Sequence, residues 1–185
     1  GLSIGEIKAL RRILHAHRGM IREEIKSFIR RKESNREALL EEFEGAIKGY
    51  YSVLVIRVDL SYSKDGMSDI TVYDFYQHIN RLRAVITDKN GCFDALVTYA
   101  IALEQGITKG FHAHLALVIN RSEHQSDYKI AKGVIEKWNE ITLGKGTGWN
   151  INATENKENY EKQGRLGIGD IRRTIPEQGN NALGA

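Results

Sequence analysis

One short segment near the middle of the chain leaves the fewest structural options. Phe111-His112-Ala113-His114-Leu115-Ala116-Leu117-Val118-Ile119 alternates with period two: its odd positions are almost all bulky and apolar, and its even positions are His112, His114, Ala116 and Val118. Successive side chains leave a strand on opposite faces, so the pattern predicts a strand with one buried face and both histidines on the other. A second apolar run, Thr98 to Leu103, ends in Glu104 and joins the first through Gln105-Gly106-Ile107-Thr108-Lys109-Gly110. Two such runs around a turn with glycines at both shoulders predict a β-hairpin. Turning there sets Glu104 across from the histidine pair on the same face. Two imidazoles and one carboxylate then converge on a point.

Three protein donors with open positions suit a catalytic rather than a structural metal. The mixed imidazole and carboxylate set fits Mn²⁺, Zn²⁺, Fe²⁺ or Co²⁺, and Mg²⁺ less comfortably. The plainer alternative is a pair of half-exposed sheet histidines with no metal; Glu104 and the clean alternation favour the metal. His15 and His17 form an internal control. They sit in a helical pattern, where residues two apart point to different sides and cannot share an ion.

Residues 1–49 are expected to be a helical segment. Ser3-Ile4-Gly5-Glu6 and Ser34-Asn35-Arg36-Glu37 both fit a capping box, and Ile7, Leu10, Leu14, Ile21, Ile25 and Phe28 recur at helical spacing. The many arginines there read first as solvated faces interleaved with glutamates, and second as contacts to a phosphate backbone. Ser52 to Ser61 is expected as a strand with Leu54, Ile56, Val58 and Leu60 on one face. Its other face carries Arg57 and Asp59, which read either as an ion pair at a strand end or as a phosphate ligand and a partner of the metal ligands. A helix to Ile86 follows, with Val72, Phe75, Ile79, Leu82 and Ile86 inward and His78 structural or exposed. The first hairpin strand begins near Phe93, with Val97, Tyr99, Ile101 and Leu103 toward the core. The small residues Ala100 and Ala102 leave a shallow groove toward Glu104. A second helix spans Ser126 to Ile141, Gly144 to Gly148 is a connector, and Trp149 to Ala153 a short strand. Thr154 to Gln163 is a polar excursion, and Arg165 to Ile171 a further strand.

The order strand, helix, strand, strand, helix, strand predicts an α+β fold: a ferredoxin-like antiparallel sheet with helices on one face, preceded by the N-terminal helices. Arg57, Asp59, Glu104, His112 and His114 would share the opposite, open face. At 185 residues with a net charge of +3 and a single cysteine, the chain reads as one core in a reducing, cytoplasmic setting, with no membrane partner.

His112-Ala113-His114, preceded by Gly110-Phe111, resembles the His-hydrophobe-His motif of the HUH endonucleases. The interval from Glu104 to His112 is similar to that of the metal-binding glutamate in viral replication initiators of this superfamily. Arg57-Val58-Asp59-Leu60 resembles its upstream strand motif. From Tyr51 to Ile171, including Trp138, Trp149-Asn150-Ile151-Asn152 and Gly167-Ile168-Gly169, the likeness is closest to the inovirus and prophage replication-protein (gene 2 protein) family. The resemblance implies that residues 50–185 are an HUH-type catalytic domain of a rolling-circle replication initiator. Such an enzyme nicks and rejoins single-stranded DNA or an origin hairpin in the cytoplasm of its host cell, in some cases with a helicase as partner. Glu104, His112 and His114 would hold a divalent metal, Mn²⁺ or Mg²⁺, and a tyrosine followed by a lysine would form a 5′-phosphotyrosine link.

Within these residues the candidate nucleophiles are Tyr128, with Lys132 at matching spacing, and Tyr160, which has no such lysine. Tyr128 lies on the helix expected to cover the buried face, and the segment from Pro176 to Ala185 contains no tyrosine. The expectation is therefore that the nucleophile lies beyond Ala185 and that residues 1–185 bind single-stranded DNA without nicking it. The alternatives are a non-catalytic single-stranded nucleic-acid-binding domain and a small-molecule metalloenzyme.

Overall fold

The computed structural model describes residues 1–106 and 109–184. It divides into two compact units, Gly1–Glu41 and Glu42–Ala185. The division falls ahead of Gly49 because the last turns of the second helix already contribute Phe43, Ala46 and Ile47 to the core of the second unit.

The first unit holds α1 (Ile4–Ala16) and most of α2 (Arg18–Gly49). The expected capping box at Ser3 and Glu6 is formed, with Glu6 accepting from the Ser3 N–H at 2.7 Å. The one expected at Ser34 is absent, and α2 runs through it without a break. A serine and an asparagine each cost a helix only tenths of a kcal/mol, too little to end one built from Glu, Arg, Leu and Ala. Among the described residues no helix is long and apolar enough to cross a membrane.

The second unit continues with β1 (Ser52–Tyr62), α3 (Lys64–Met67), α4 (Val72–Thr87), a 3₁₀ turn, β2 (Leu96–Gly106) and β3 (Gly110–Asn120). It ends with α5 (Asp127–Ile141), β4 (Gly146–Asn150), α6 (Thr154–Lys162), β5 (Gly169–Arg172) and α7 (Pro176–Gly184). The sheet is antiparallel and open, in the order β2-β3-β1-β4, with β5 also pairing β1. Ile107 and Thr108 of the expected hairpin turn lie outside the described residues. Gly110, at φ +61°, must be glycine twice over: the left-handed conformation penalises a side chain, and a Cβ would stand 2.7 Å from the Met67 sulfur.

One sheet face is packed as its alternation requires. Leu54, Ile56, Val58 and Leu60 of β1 and Leu115, Leu117 and Ile119 of β3 lie under Phe75, Ile79, Leu82 and Ile86 of α4 and Ile130, Val134 and Trp138 of α5. Val72, expected inward, is exposed at the first position of α4.

The other face is not wholly open, which corrects the expectation of helices on one face only. Val53, Val55 and Val118 are buried there beneath Phe43 and Ile47 of α2 together with Ile168 and Ile171. Val97 belongs to this second cluster rather than to the α4 face, because the β2–β3 register shifts between Leu96 and Thr98. A bulge gives one strand an extra residue, so two neighbours share a side. The polar excursion at Thr154 to Gln163 is helix α6, packed through Tyr160.

β1 has two successive partners along one edge: β5 pairs with Ser52 to Val55, and β4 with Val58 to Tyr62. Asn152 fills the gap between them. Its Oδ1 accepts the Arg57 N–H at 2.8 Å, and its Nδ2 donates to the Val55 carbonyl at 2.9 Å and to Asp127 Oδ2 at 2.8 Å. Buried backbone groups require partners, and here a side chain replaces the missing strand. This corrects the expected strand over Trp149 to Ala153. The strand starts at Gly146 and has ended before Asn152.

Candidate metal centre

The β2–β3 register sets Glu104 opposite His112 and Ala102 opposite His114, while β1 sets Asp59 opposite His114 on its other side. Cross-strand partners share a face, so all four polar side chains emerge where the second covering layer has ended. Glu104 Oε2 lies 3.1 Å from His112 Nε2 and 3.5 Å from His114 Nε2. The two imidazoles stand nearly perpendicular, at 87°, with ring centroids 5.3 Å apart. One donor atom from each of the three residues lies within 4.8 Å of the others.

The outer ring nitrogens are held by acceptors. His112 Nδ1 lies 3.1 Å from the Gly110 carbonyl oxygen, and His114 Nδ1 lies 2.7 Å from Asp59 Oδ1. Both of those partners are acceptors, so each Nδ1 carries a hydrogen and donates it. With Nδ1 so engaged, Nε2 is the ring atom turned toward the Glu104 carboxylate: it offers a lone pair when the ring carries one hydrogen and donates a hydrogen bond when it carries two. Either a proton or a cation between these atoms relieves the repulsion of their lone pairs, and three such donors around one point suit a metal ion. A carboxylate or carbonyl holding the far nitrogen of a histidine is also the usual outer support of a metal ligand. The donor set therefore fits a divalent ion. His112 is buried, His114 is one-third exposed, and Glu104 is more than half exposed, so the open positions face solvent on the Glu104 side.

Asp59 thus emerges as a positioning group for His114 rather than as one partner of an ion pair with Arg57. Arg57 lies on the same face, opposite Ala116 and two residues from Asp59. His78 is structural: its Nδ1 lies 2.9 Å from the Tyr62 hydroxyl. Burial holds this imidazole below the ordinary histidine range, and burial likewise raises the Tyr62 phenol.

A cleft of about 590 Å³ adjoins the triad, lined by Asp59, His112, Lys64, Lys109, Thr147 and Trp149 among others. Neither candidate nucleophile reaches it. Tyr128 is half-exposed on α5, the helix of the opposite face, and Tyr160 is packed into the second core cluster. Trp149 was not among the expected site residues. The only sequence signal for it was a large aromatic in a run of glycines and polar residues, which has no alternation to assign a face.

No family model, no curated protein and no solved structure matches this chain.

Proposed function

We propose that the chain is a metal-dependent phosphodiester-handling domain of the HUH type, which binds single-stranded DNA or an origin hairpin for nicking and joining in rolling-circle replication. The convergence of one possible ligand atom from each of Glu104, His112 and His114 within 4.8 Å carries this reading. The antiparallel strand order β2-β3-β1-β4, with α4 and α5 on one face, supports it, being what a ferredoxin-like reading of the chain would require. Glu104, His112 and His114 would hold the ion, Mn²⁺ or Mg²⁺ by resemblance. Once bound, the ion supplies Lewis-acid polarisation of a phosphate oxygen. Asp59 keeps the His114 hydrogen on Nδ1, and the Gly110 carbonyl does the same for His112. Arg57, on the same sheet face, would meet a phosphate of the same strand.

In the covalent step that the resemblance implies, a tyrosine oxygen attacks phosphorus. The phosphorus–O3′ bond breaks, and the 3′-oxygen leaves as a hydroxyl. A second reading, a non-catalytic single-stranded DNA-binding domain, is favoured by one observation: among the described residues the tyrosine lining the cleft is Tyr62, which is buried with its hydroxyl against His78 Nδ1, and neither Tyr128 nor Tyr160 lines it. Two measurements decide. Residues 1–185 should bind a hairpin oligonucleotide more tightly with Mn²⁺ than without, and His114→Ala should abolish that difference. Equal binding by the two proteins under both conditions would sink the metal centre. The gene's whole reading frame, incubated with the same DNA and Mn²⁺, should yield a peptide–DNA adduct at a tyrosine. Tight binding with no adduct leaves the binding domain.

A further inference from the structure

We infer that Trp149 is a stacking platform for one nucleobase of the single-stranded DNA whose phosphate the metal triad holds; the inference rests on the function proposed above. Asp59 pairs with His114 on one side and with Trp149 on the other. The indole therefore leaves the same sheet face as the two histidines, two strand spacings from His114, or about 10 Å. That is the reach from a held phosphate to a neighbouring base. The side chain is 62% exposed. Single exposed apolar residues are ordinary on protein surfaces. This one differs because it forms a wall of the cleft that contains His112 and Asp59.

The strand is built to present the indole outward. At Gly148, the residue before it, a Cβ would stand 2.7 Å from Ile135 Cγ1 of α5. The backbone of β4 is thus pressed against α5 on one side, and Trp149 projects from the other. Lys64 and Lys109, from α3 and from the hairpin end, line the same cleft. An aromatic wall combined with lysines is the general recipe for sequence-tolerant binding of a single strand, with the base on the ring and the backbone on the charges. A small-molecule pocket would enclose its ligand in an apolar cavity; this cleft is open at the sheet edge.

The test is a fluorescence titration of residues 1–185 with a short oligothymidylate in Mn²⁺. The chain has two tryptophans. Trp138 is fully buried and donates its Nε1 hydrogen to the Ser61 carbonyl at 2.8 Å, so any quenching reports Trp149. DNA should quench the emission. Trp149→Ala should weaken binding roughly tenfold, the size of one lost base stack, and Trp149→Phe should keep most of the affinity. An abasic site walked along the oligonucleotide should reproduce the loss at one position in the wild type and cost nothing further there in Trp149→Ala. Wild-type affinity in Trp149→Ala, with Mn²⁺-dependent binding intact, overturns the stacking platform alone. Failure of the wild type to bind the oligonucleotide overturns both this inference and the function it rests on.

Discussion

The two faces of β3 are built from adjacent residues and do opposite things. Ala113, Leu115, Leu117 and Ile119 point into a core roofed by α4 and α5. His112, His114, Ala116 and Val118 point the other way, and that face is itself divided. Val118 and Ala116 lie under the layer formed by Phe43, Ile47, Ile168 and Ile171; His114 and His112 lie past its end. A strand this regular can carry chemistry because its packing is completed by alternate residues. The histidines bear little of the fold's weight, so the two faces should fail separately.

The largest expected effect is on the packed face. Leu117→Ala should cost about 2–5 kcal/mol of unfolding free energy in denaturant titration, because Leu117 is fully buried and its loss leaves a cavity. The Mn²⁺ affinity of the protein that remains folded should stay at the wild-type value. Loss of metal binding under native conditions would break the separation of the faces.

On the open face, Mn²⁺ at a hundredfold excess over its dissociation constant should stabilise the wild type by about 2.7 kcal/mol. His114→Ala and Glu104→Gln should gain nothing from the ion, while without it their melting temperatures stay near that of the wild type. Asp59→Ala should act one step removed. It frees His114 Nδ1, whose contact with Asp59 is 2.7 Å long. Calorimetry should find the metal affinity about 10- to 100-fold weaker. Wild-type affinity in Asp59→Ala would mean that the His114 tautomer is set by something other than this carboxylate.

How much of this was legible beforehand follows from the same comparison. Period-two alternation is strong over Phe111 to Ile119, so the strand, its faces and the Glu104 register could all be read from it. Asp59 was legible because a carboxylate on an otherwise apolar strand needs a reason. The bulge that turns Val97 toward the second cluster left no mark, since both faces of β2 there are apolar or small. The layer over Val53 and Val118 was missed because its pieces, Phe43, Ile47, Ile168 and Ile171, are far apart in sequence and each is unremarkable in its own segment. Trp149 was missed for a local reason: Gly146-Thr147-Gly148-Trp149-Asn150 forms its strand through pairing with β1 rather than through any pattern of its own. The polar sequence of α6 likewise hid a helix that tertiary contact through Tyr160 holds in place.

The smallest effect belongs to the cap of α4, which roofs the packed face only. Asp74 accepts from the Thr71 N–H at 3.0 Å and from the Thr71 hydroxyl at 2.6 Å, and these hydrogen bonds, the hydroxyl's first, hold its carboxyl below the ordinary aspartate range. A carboxyl whose folded value lies below its unfolded value adds stability above the unfolded value and loses it as pH falls through the folded one. Asp74→Asn should therefore be less stable than the wild type at neutral pH. The gap should close as acid protonates Asp74 in the folded wild type. Denaturant titrations across that acid range read it directly. A gap that persists unchanged at the acid end would show that the cap works through the shape of the side chain and not through its charge. Mn²⁺ affinity at neutral pH should be the same in both proteins, because α4 supports the side of the sheet that the triad does not use.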